Sequence, residues 1–233
     1  MKKESWNALE SELVRCTDCP RLVAWRKQVS REKRRAYQAE NYWGKPVPGF
    51  GDRNARILVL GLAPGAHGSN RTGRMFTGDA SGDFLFPALY EAGFSSKPVS
   101  IIIGDDLILK ELFISAVCRC VPPKNKPLRE EQINCRSYLF REIALLKNIE
   151  GIVALGSIAF YNAIEILKEL YSIRLSHRPK FAHGKLFNWD TSPIWLLASY
   201  HPSRQNTQTG RLTEKMFAEV WSHANNLLQN RSG

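Results

Sequence analysis

The stretch Arg56–Leu62 reads RILVLGL, is apolar almost throughout and leads into a glycine-rich loop. Three further runs share this character: Glu111–Val117 (ELFISAV), Gly151–Leu155 (GIVAL) and Ile194–Tyr200 (IWLLASY). Short, continuous apolar runs rich in β-branched residues are typical of strands that are buried on both faces. The four runs therefore predict the strands of a central sheet.

Helical patterns lie between and around these strands. They cover roughly Gly82–Ala92, Arg129–Asn148 and Ser157–Leu170, with a further helix before Cys16 and another over about Leu212–Leu228. Alternating strands and helices favour an α/β fold with a parallel sheet and helices on both faces. No internal repeat or long linker is visible, so we expect one domain over residues 1–233 with an N-terminal arm.

Composition excludes several classes of protein. The chain has 233 residues, of which 43% are hydrophobic and 24% charged, which is unlike disordered, collagenous or coiled-coil sequences. No apolar run is long enough for a membrane helix, and Met1–Trp6 does not resemble a secretory signal. We therefore expect a cytoplasmic protein. The net charge of +11 indicates a polyanionic partner, nucleic acid before membrane.

Polar and glycine-rich loops follow the predicted strands. Gly61–Gly68 and Thr72–Gly82 are rich in small residues, and His201–Arg211 is almost wholly polar. Because ligands bind at the carboxyl ends of strands in open α/β sheets, we expect these loops to converge on one site. A phosphate loop is an alternative, but no Gly-Lys-Ser/Thr or G-x-G-x-x-G motif supports nucleotide hydrolysis or dinucleotide binding.

Five cysteines indicate a metal or redox role. Cys16 and Cys19 form a C-x-x-C pair, and Cys118, Cys120 and Cys135 follow much later. An odd count in a chain without a secretory signal argues against a disulfide framework. Ligand chemistry favours an iron–sulfur cluster, with a zinc site and unrelated core cysteines as the alternatives.

Taken together, these segments resemble the uracil-DNA glycosylase superfamily, specifically its iron–sulfur branch called family 5 or type B. The resemblance lies in four segments: Cys16–Pro20, Gly61–Leu85, Arg119–Cys135 and Ser199–Thr213. They occur in the family's order and, with the elements between them, span nearly the whole chain. Family 4, the related iron–sulfur branch, has an acidic residue at the position of Ala63, so Ala63 selects type B.

The resemblance implies a three-layer α/β/α sandwich around a four-stranded parallel sheet. It also implies a [4Fe–4S] cluster on Cys16, Cys19, Cys120 and Cys135, with a structural role that ties the N-terminal arm to the Cys120–Cys135 loop. Cys118 falls outside the pattern and is expected to be a buried apolar thiol.

The implied chemistry is hydrolysis of the bond between a base and its deoxyribose, after the base has been flipped out of the duplex. His201 would donate a hydrogen bond to the base oxygen and stabilise the leaving anion. Asp79 resembles the residue that acts as base or cation stabiliser, although an N-cap of the following helix is the alternative. Phe76 would stack on the base. The resemblance implies a base pocket lined by Gly61, Leu62, Ala63, Ala66, Phe76, Ser115 and Ala116.

The loop from Arg204 to Arg211 resembles one that wedges into the duplex and contacts flanking phosphates. The DNA-binding residues implied there are Ser203, Arg204, Asn206, Thr209 and Arg211. The basic stretch Arg21–Arg35 is either a solvated helix face or a non-specific track for phosphates.

The expected partner is DNA that contains deaminated bases, bound by a monomer associated with the nucleoid. Strict uracil enzymes read the base with a side-chain amide, which Ala63 and Ala116 cannot supply, so hypoxanthine and xanthine are expected substrates beside uracil. The alternatives are a relative that binds nucleic acid without catalysis and a small electron-transfer protein.

Overall fold

A computed structural model describes residues 4–175 and 177–230. Residues 1–3, 176 and 231–233 of the expected domain lie outside the described residues. Within the described part, six strands form one sheet in the order β1-β3-β2-β4-β6-β5. The strands are β1 (Phe50–Gly51), β2 (Ile57–Gly61), β3 (Leu112–Ala116), β4 (Gly151–Leu155), β5 (Leu186–Trp189) and β6 (Ser192–Ser199).

Eight α-helices occur in the described residues, together with short 3₁₀ turns at Arg35–Tyr37 and Pro123–Asn125. The α-helices are α1 (Trp6–Leu13), α2 (Pro20–Glu32), α3 (Ser69–Thr72), α4 (Ala80–Glu91), α5 (Arg129–Leu145), α6 (Ser157–Tyr171), α7 (Arg204–Gln208) and α8 (Glu214–Gln229). None of the helices in the described ranges is long and apolar enough to cross a membrane.

The four predicted strands are confirmed as the parallel centre of the sheet. β3, β2, β4 and β6 pair in parallel, and every residue of β2, β3 and β4 is buried. The sheet is larger than expected, because β1 and β5 add an antiparallel strand at each edge. Neither edge strand forms a continuous apolar run: β1 has two residues and β5 is only half-buried.

The two faces of the sheet bury separate cores, which confirms the three-layer sandwich. Val59 of β2 packs with Phe86 of α4 and Trp221 of α8 on one face. Leu60, the next residue, belongs to the opposite core with Ile143 of α5 and Phe160 of α6. Successive side chains of a strand point to opposite faces, so each central strand serves both cores.

Candidate active site and cysteine cluster

The carboxyl ends of the central strands bring the predicted loops together. Gly61 and Ala116 are paired across β2 and β3, and the amide of Val117 donates to the carbonyl of Gly61 at 3.0 Å. At the end of β6, the carbonyl of Ser199 accepts from the amide of Gly156 at 2.7 Å. The loops after β2, β3, β4 and β6 therefore begin at one edge of the sheet, as expected.

His201 follows β6 and lines a cleft of about 220 Å³. The side-chain amide of Asn206 donates to the backbone carbonyl of His201 at 2.8 Å and fixes this part of the chain. His201 as a whole is half-buried, and burial among protein atoms lowers the pKa of His201 to about 4. The imidazole is therefore neutral at physiological pH, so one ring nitrogen carries a proton that it can donate.

Phe76 lies beside His201, with ring centroids 5.8 Å apart and an interplanar angle of 29°. Its backbone has φ 51°, a left-handed conformation that costs a bulky residue about 1–3 kcal/mol. Two glycines make room for it. A Cβ on Gly61 would lie 2.9 Å from the Phe76 ring, and a Cβ on Gly82 would lie 1.9 Å from the Phe76 carbonyl oxygen.

Asp79 is the N-cap of α4. The sequence pattern predicts this structural role as the alternative to a catalytic one. Its Oδ1 accepts from the amides of Ser81 at 3.0 Å and Gly82 at 3.3 Å. Its Oδ2 lies where a Cβ of Gly68 would stand, 2.0 Å from that position, so only glycine fits there. Burial raises the pKa of Asp79 above its usual range, in spite of the two amide donors. Both hydrogen bonds reach Oδ1, and no donor of the described residues is bonded to Oδ2.

A buried ion pair that the sequence did not reveal braces the Phe76 loop. Arg74 donates to both carboxylate oxygens of Asp105, to Ser100 at 2.8 Å and to Thr77 at 3.0 Å. Asp105 also accepts from the amide of Ile101 at 2.9 Å. Arg74 and Asp105 are 31 residues apart in sequence, so spacing offers no signal that they meet.

The residues expected to line the base pocket do not all lie on the same face of the sheet. Leu62 lines the cleft with His201, and Ala116 packs in the same core as Phe76. Ser115 precedes Ala116 on β3, so its side chain points to the other face, where the hydroxyl donates to Glu142 at 2.7 Å. The structure therefore does not bring the Ser115 side chain to the Phe76 side. Ala63 packs beside that second core, and Ala66 lies half-buried in the loop.

Sequence reasoning missed the part of the cleft that α6 forms. Gly156 precedes α6 with φ 96° and provides no side-chain cap, and Ser157 begins the helix. The amides of the first turn of a helix have no partner within the helix and favour an anion. Tyr200 and Phe181 complete the wall. Glycine followed by serine after a predicted strand was the available signal.

The loop after His201 forms the short helix α7. Ser203 is its N-cap but makes no side-chain cap bond, and Arg204 is exposed. The hydroxyl of Thr209 donates to the carbonyl of Gln205 at 2.7 Å. In any further hydrogen bond, the Thr209 oxygen can therefore only accept. Arg211 lies over the Tyr200 ring at 4.7 Å and lines the cleft beside Asn206.

Four cysteines surround one cavity between α2 and the start of α5. Cys16, Cys19, Cys120 and Cys135 line it together, with Arg119 in the same wall. Side chains of α5 hold two of the thiols: Asn134 donates to Cys19 Sγ at 3.7 Å, and Tyr138 is hydrogen-bonded to Cys16. Cys118 is fully buried and does not line this cavity, although it is hydrogen-bonded to Cys135.

The four cysteine side chains surround the cavity and do not converge on a single metal position. Within the described ranges, no three His, Cys, Asp or Glu side chains are close enough to hold a single metal ion. A zinc ion needs ligand atoms within about 2.3 Å of one centre. Four thiols around a shared cavity are the type of ligand set that an iron–sulfur core uses.

Comparison with known proteins identifies the superfamily to which the chain belongs. Residues 48–225 match the family model described as "Uracil DNA glycosylase superfamily". A protein named type-5 uracil-DNA glycosylase in Thermus thermophilus is 54% identical over 220 residues, which cover 94% of this chain and 97% of that protein.

Two further comparisons narrow the branch. The type-5 protein of Pyrobaculum aerophilum is 44% identical over 92% of this chain and 89% of its own length. A type-4 uracil-DNA glycosylase of the same organism is 35% identical over 70% of this chain and 74% of its own length. The chain therefore belongs to the type-5 branch of the uracil-DNA glycosylase superfamily.

Proposed function

We propose that this protein excises uracil from DNA by hydrolysing the N-glycosidic bond, the first step of base-excision repair. The observation that carries the proposal is the pairing of Phe76 and His201 at the edge of the sheet where the glycine-rich loops meet. Phe76 offers a stacking face, and the neutral His201 offers a proton donor. Among the described residues, no side chain or backbone group is hydrogen-bonded to a ring nitrogen of His201.

The reaction uses this donor on the leaving base. A flipped base stacks on Phe76, and His201 donates a hydrogen bond to the oxygen of the base. As the bond between N1 and C1′ breaks, its electron pair moves onto the base, and the hydrogen bond to His201 strengthens with the developing charge. A neutral imidazole in a buried site stabilises this anion without taking part in acid catalysis.

Asp79 acts on the sugar side. Its Oδ1 is held by the amides of Ser81 and Gly82, which fixes the carboxylate, while Oδ2 takes the proton of the attacking water. The water oxygen bonds to C1′, and the base leaves as an anion that takes a proton from solvent. A raised pKa makes Asp79 a better base than an exposed carboxylate, and its charge stabilises the cationic sugar.

The cleft beside His201 contacts the DNA backbone. The amides at the start of α6, the exposed Arg204 and Arg211, and the Ser203 hydroxyl are donors for phosphate oxygens. The net charge of +11 adds a sequence-independent attraction. Within the basic stretch Arg21–Arg35, Arg21 is paired with Glu131 and Arg26 is buried, so only the remaining basic residues serve as a phosphate track.

The substrate range extends to hypoxanthine and xanthine. Ala116 lies on the Phe76 side of β3 and presents only a methyl group, and Ala63 is equally small. A pocket without a side-chain amide lacks the polar contact that rejects wrong bases.

A [4Fe–4S] cluster is held by the thiolates of Cys16, Cys19, Cys120 and Cys135, which line one cavity. When bound, it would link the segment from Cys16 to the start of α2 with Cys120 and with Cys135 of α5, and it would add stability rather than a step of the reaction. Cys118 is not a ligand in this proposal.

One assay tests the reaction. Purified protein is incubated with labelled duplexes that contain uracil, hypoxanthine or xanthine, and abasic sites are then cleaved with alkali. We expect cleavage at the damaged base by the wild type and much slower cleavage by His201→Ala. Tight binding of the same duplexes without any abasic product would favour the non-catalytic alternative and contradict the proposal.

A further inference from the structure

Two arginines beside the cysteine ring are buried and incompletely hydrogen-bonded. Arg26 of α2 is 4% exposed and Arg119 is 1% exposed. Arg26 donates from Nη1 to the carbonyl of Gly44 at 3.1 Å and from Nη2 to the carbonyl of Cys16 at 3.2 Å, and its Nε has no acceptor. Arg119 donates from Nη2 to Glu142, and its Nε and Nη1 have no acceptor.

The charges of the two guanidinium groups are compensated to different degrees. Among the described residues, Arg26 has no carboxylate within ion-pair distance, because its acceptors are both neutral carbonyls. Arg119 shares Glu142 with the hydroxyl of Ser115. An uncompensated charge in a protein interior costs several kcal/mol, and so does a buried donor without an acceptor when the donor is charged. Arg26 therefore lacks a counter-anion, and Arg119 keeps two buried N–H donors without an acceptor beside its ion pair with Glu142.

The place where that anion belongs is the cavity of the four cysteines. Arg119 lines this cavity, and its backbone amide is already hydrogen-bonded to Cys135. Arg26 does not line the cavity, but its Nη2 donates to the backbone carbonyl of Cys16, one of the lining residues. An iron–sulfur core ligated by four thiolates is a buried anion with many sulfur acceptors, and hydrogen bonds to sulfur tune its reduction potential.

We propose that Arg26 and Arg119 are the buried counter-cations of the iron–sulfur cluster, donating their free N–H groups to its sulfur atoms. The inference rests on the proposed cluster. These residues are positioning residues for the cofactor and take no part in glycosidic cleavage. They hold the cluster in the chain, and their positive charge favours its reduced state.

Other arginines nearby do not share this role. Arg21, on the same helix, forms an ion pair with Glu131 at 2.7 Å. Lys27, next to Arg26, is exposed to solvent. Lys27→Gln is therefore a matched control, since it removes the same charge from the same helix without touching the cavity.

The experiment uses the full chain, purified without oxygen, and measures iron per chain, cluster loss to an iron chelator and midpoint potential. Arg26→Gln should lower the midpoint potential, because it removes positive charge beside the cluster. The charge-balanced double variant Arg119→Gln/Glu142→Gln should lower it less, because it removes the guanidinium donors of Arg119 but leaves the net charge unchanged. Cluster loss should accelerate about tenfold, as expected for one lost charge-assisted hydrogen bond. Lys27→Gln should match the wild type in all three measurements.

Arg26→Lys separates charge from shape. It keeps the cation, so its midpoint potential should lie closer to that of the wild type than to that of Arg26→Gln. Equal shifts in the Lys and Gln variants would contradict the inference, as would fully loaded Gln variants with unchanged potential and chelator resistance. Absence of iron from the wild type would instead overturn the cluster itself, so the two failures are distinguishable.

Discussion

Phe76 and His201 lie on different loops, yet their rings are 5.8 Å apart and inclined by only 29°. The contact depends on the left-handed backbone of Phe76, which brings its ring back over the end of β2. Strain of this kind is retained where the surrounding structure enforces it, commonly at functional sites. The pairing places a stacking face and a hydrogen-bond donor side by side, which are the two contacts that the proposed reaction uses.

Replacement of His201 tests the donor directly. His201→Ala should lower the single-turnover rate of uracil excision by about 10²–10³-fold, because one hydrogen bond to developing charge is lost. Rapid-quench assays with saturating enzyme measure this rate without product release. His223→Ala, on α8, is the matched control and should retain the wild-type rate. A rate within threefold of wild type in His201→Ala would show that another group stabilises the base.

The pH dependence of the rate should report Asp79 rather than His201. Burial raises the pKa of Asp79, so the carboxylate is lost as pH falls through that raised value, and the single-turnover rate should fall with it. His201, with a pKa of about 4, stays neutral and should give no inflection near 6.5. Asp79→Asn should be slow at every pH and lack the acidic limb. An acidic limb that persists in Asp79→Asn would assign it to another residue.

The ion pair between Arg74 and Asp105 should contribute to stability. Asp105→Asn leaves Arg74 buried without its anion, which should lower the free energy of unfolding by about 3 kcal/mol. Because Arg74 and backbone amides hold the pKa of Asp105 below its usual range, this stability is present above that range and lost at more acid pH. Urea titrations measure it. Glu165→Gln breaks an exposed pair and should change stability by less than about 0.5 kcal/mol.

The cysteine assignment predicts which thiols hold iron. Serine at Cys120 should reduce iron content and soluble yield, because Cys120 lines the shared cavity with the other three proposed ligands. Cys118→Ser should keep its iron, since Cys118 lies outside that lining. Colorimetric iron determination after anaerobic purification measures both. One equivalent of zinc in place of iron, or loss of iron in Cys118→Ser alone, would overturn the assignment.

The central fold and part of the site follow from local sequence patterns. Continuous apolar runs identify β2 and β4 because both faces of those strands are buried. The edge strand β5 is half-buried and gives no such run. His201 could be found because a histidine after a buried strand is unusual. The pairing of Arg74 with Asp105 could not, because it depends on how a long loop folds back.

The side on which a strand residue points is also set by the three-dimensional structure. Ser115 and Ala116 are neighbours in sequence and were both expected in the base pocket. Strand alternation sends Ser115 towards Glu142 and leaves Ala116 on the side of Phe76. Which of the two faces the pocket depends on the helices that cover each face, and the run of apolar residues does not distinguish them.

This opposition makes Ala116 and Ser115 a matched pair for testing substrate range. Ala116→Asn should raise the ratio of uracil to hypoxanthine excision by about tenfold or more, because an amide that reads the base edge penalises the wrong base.

Ser115→Ala is the control. It removes a hydroxyl from the opposite face, so stability should fall while that ratio stays constant. Single-turnover rates on the two duplexes measure the ratio, and circular dichroism verifies folding. A folded Ala116→Asn with an unchanged ratio, or a Ser115→Ala that shifts it, would mean that the base edge is read from the other face of β3.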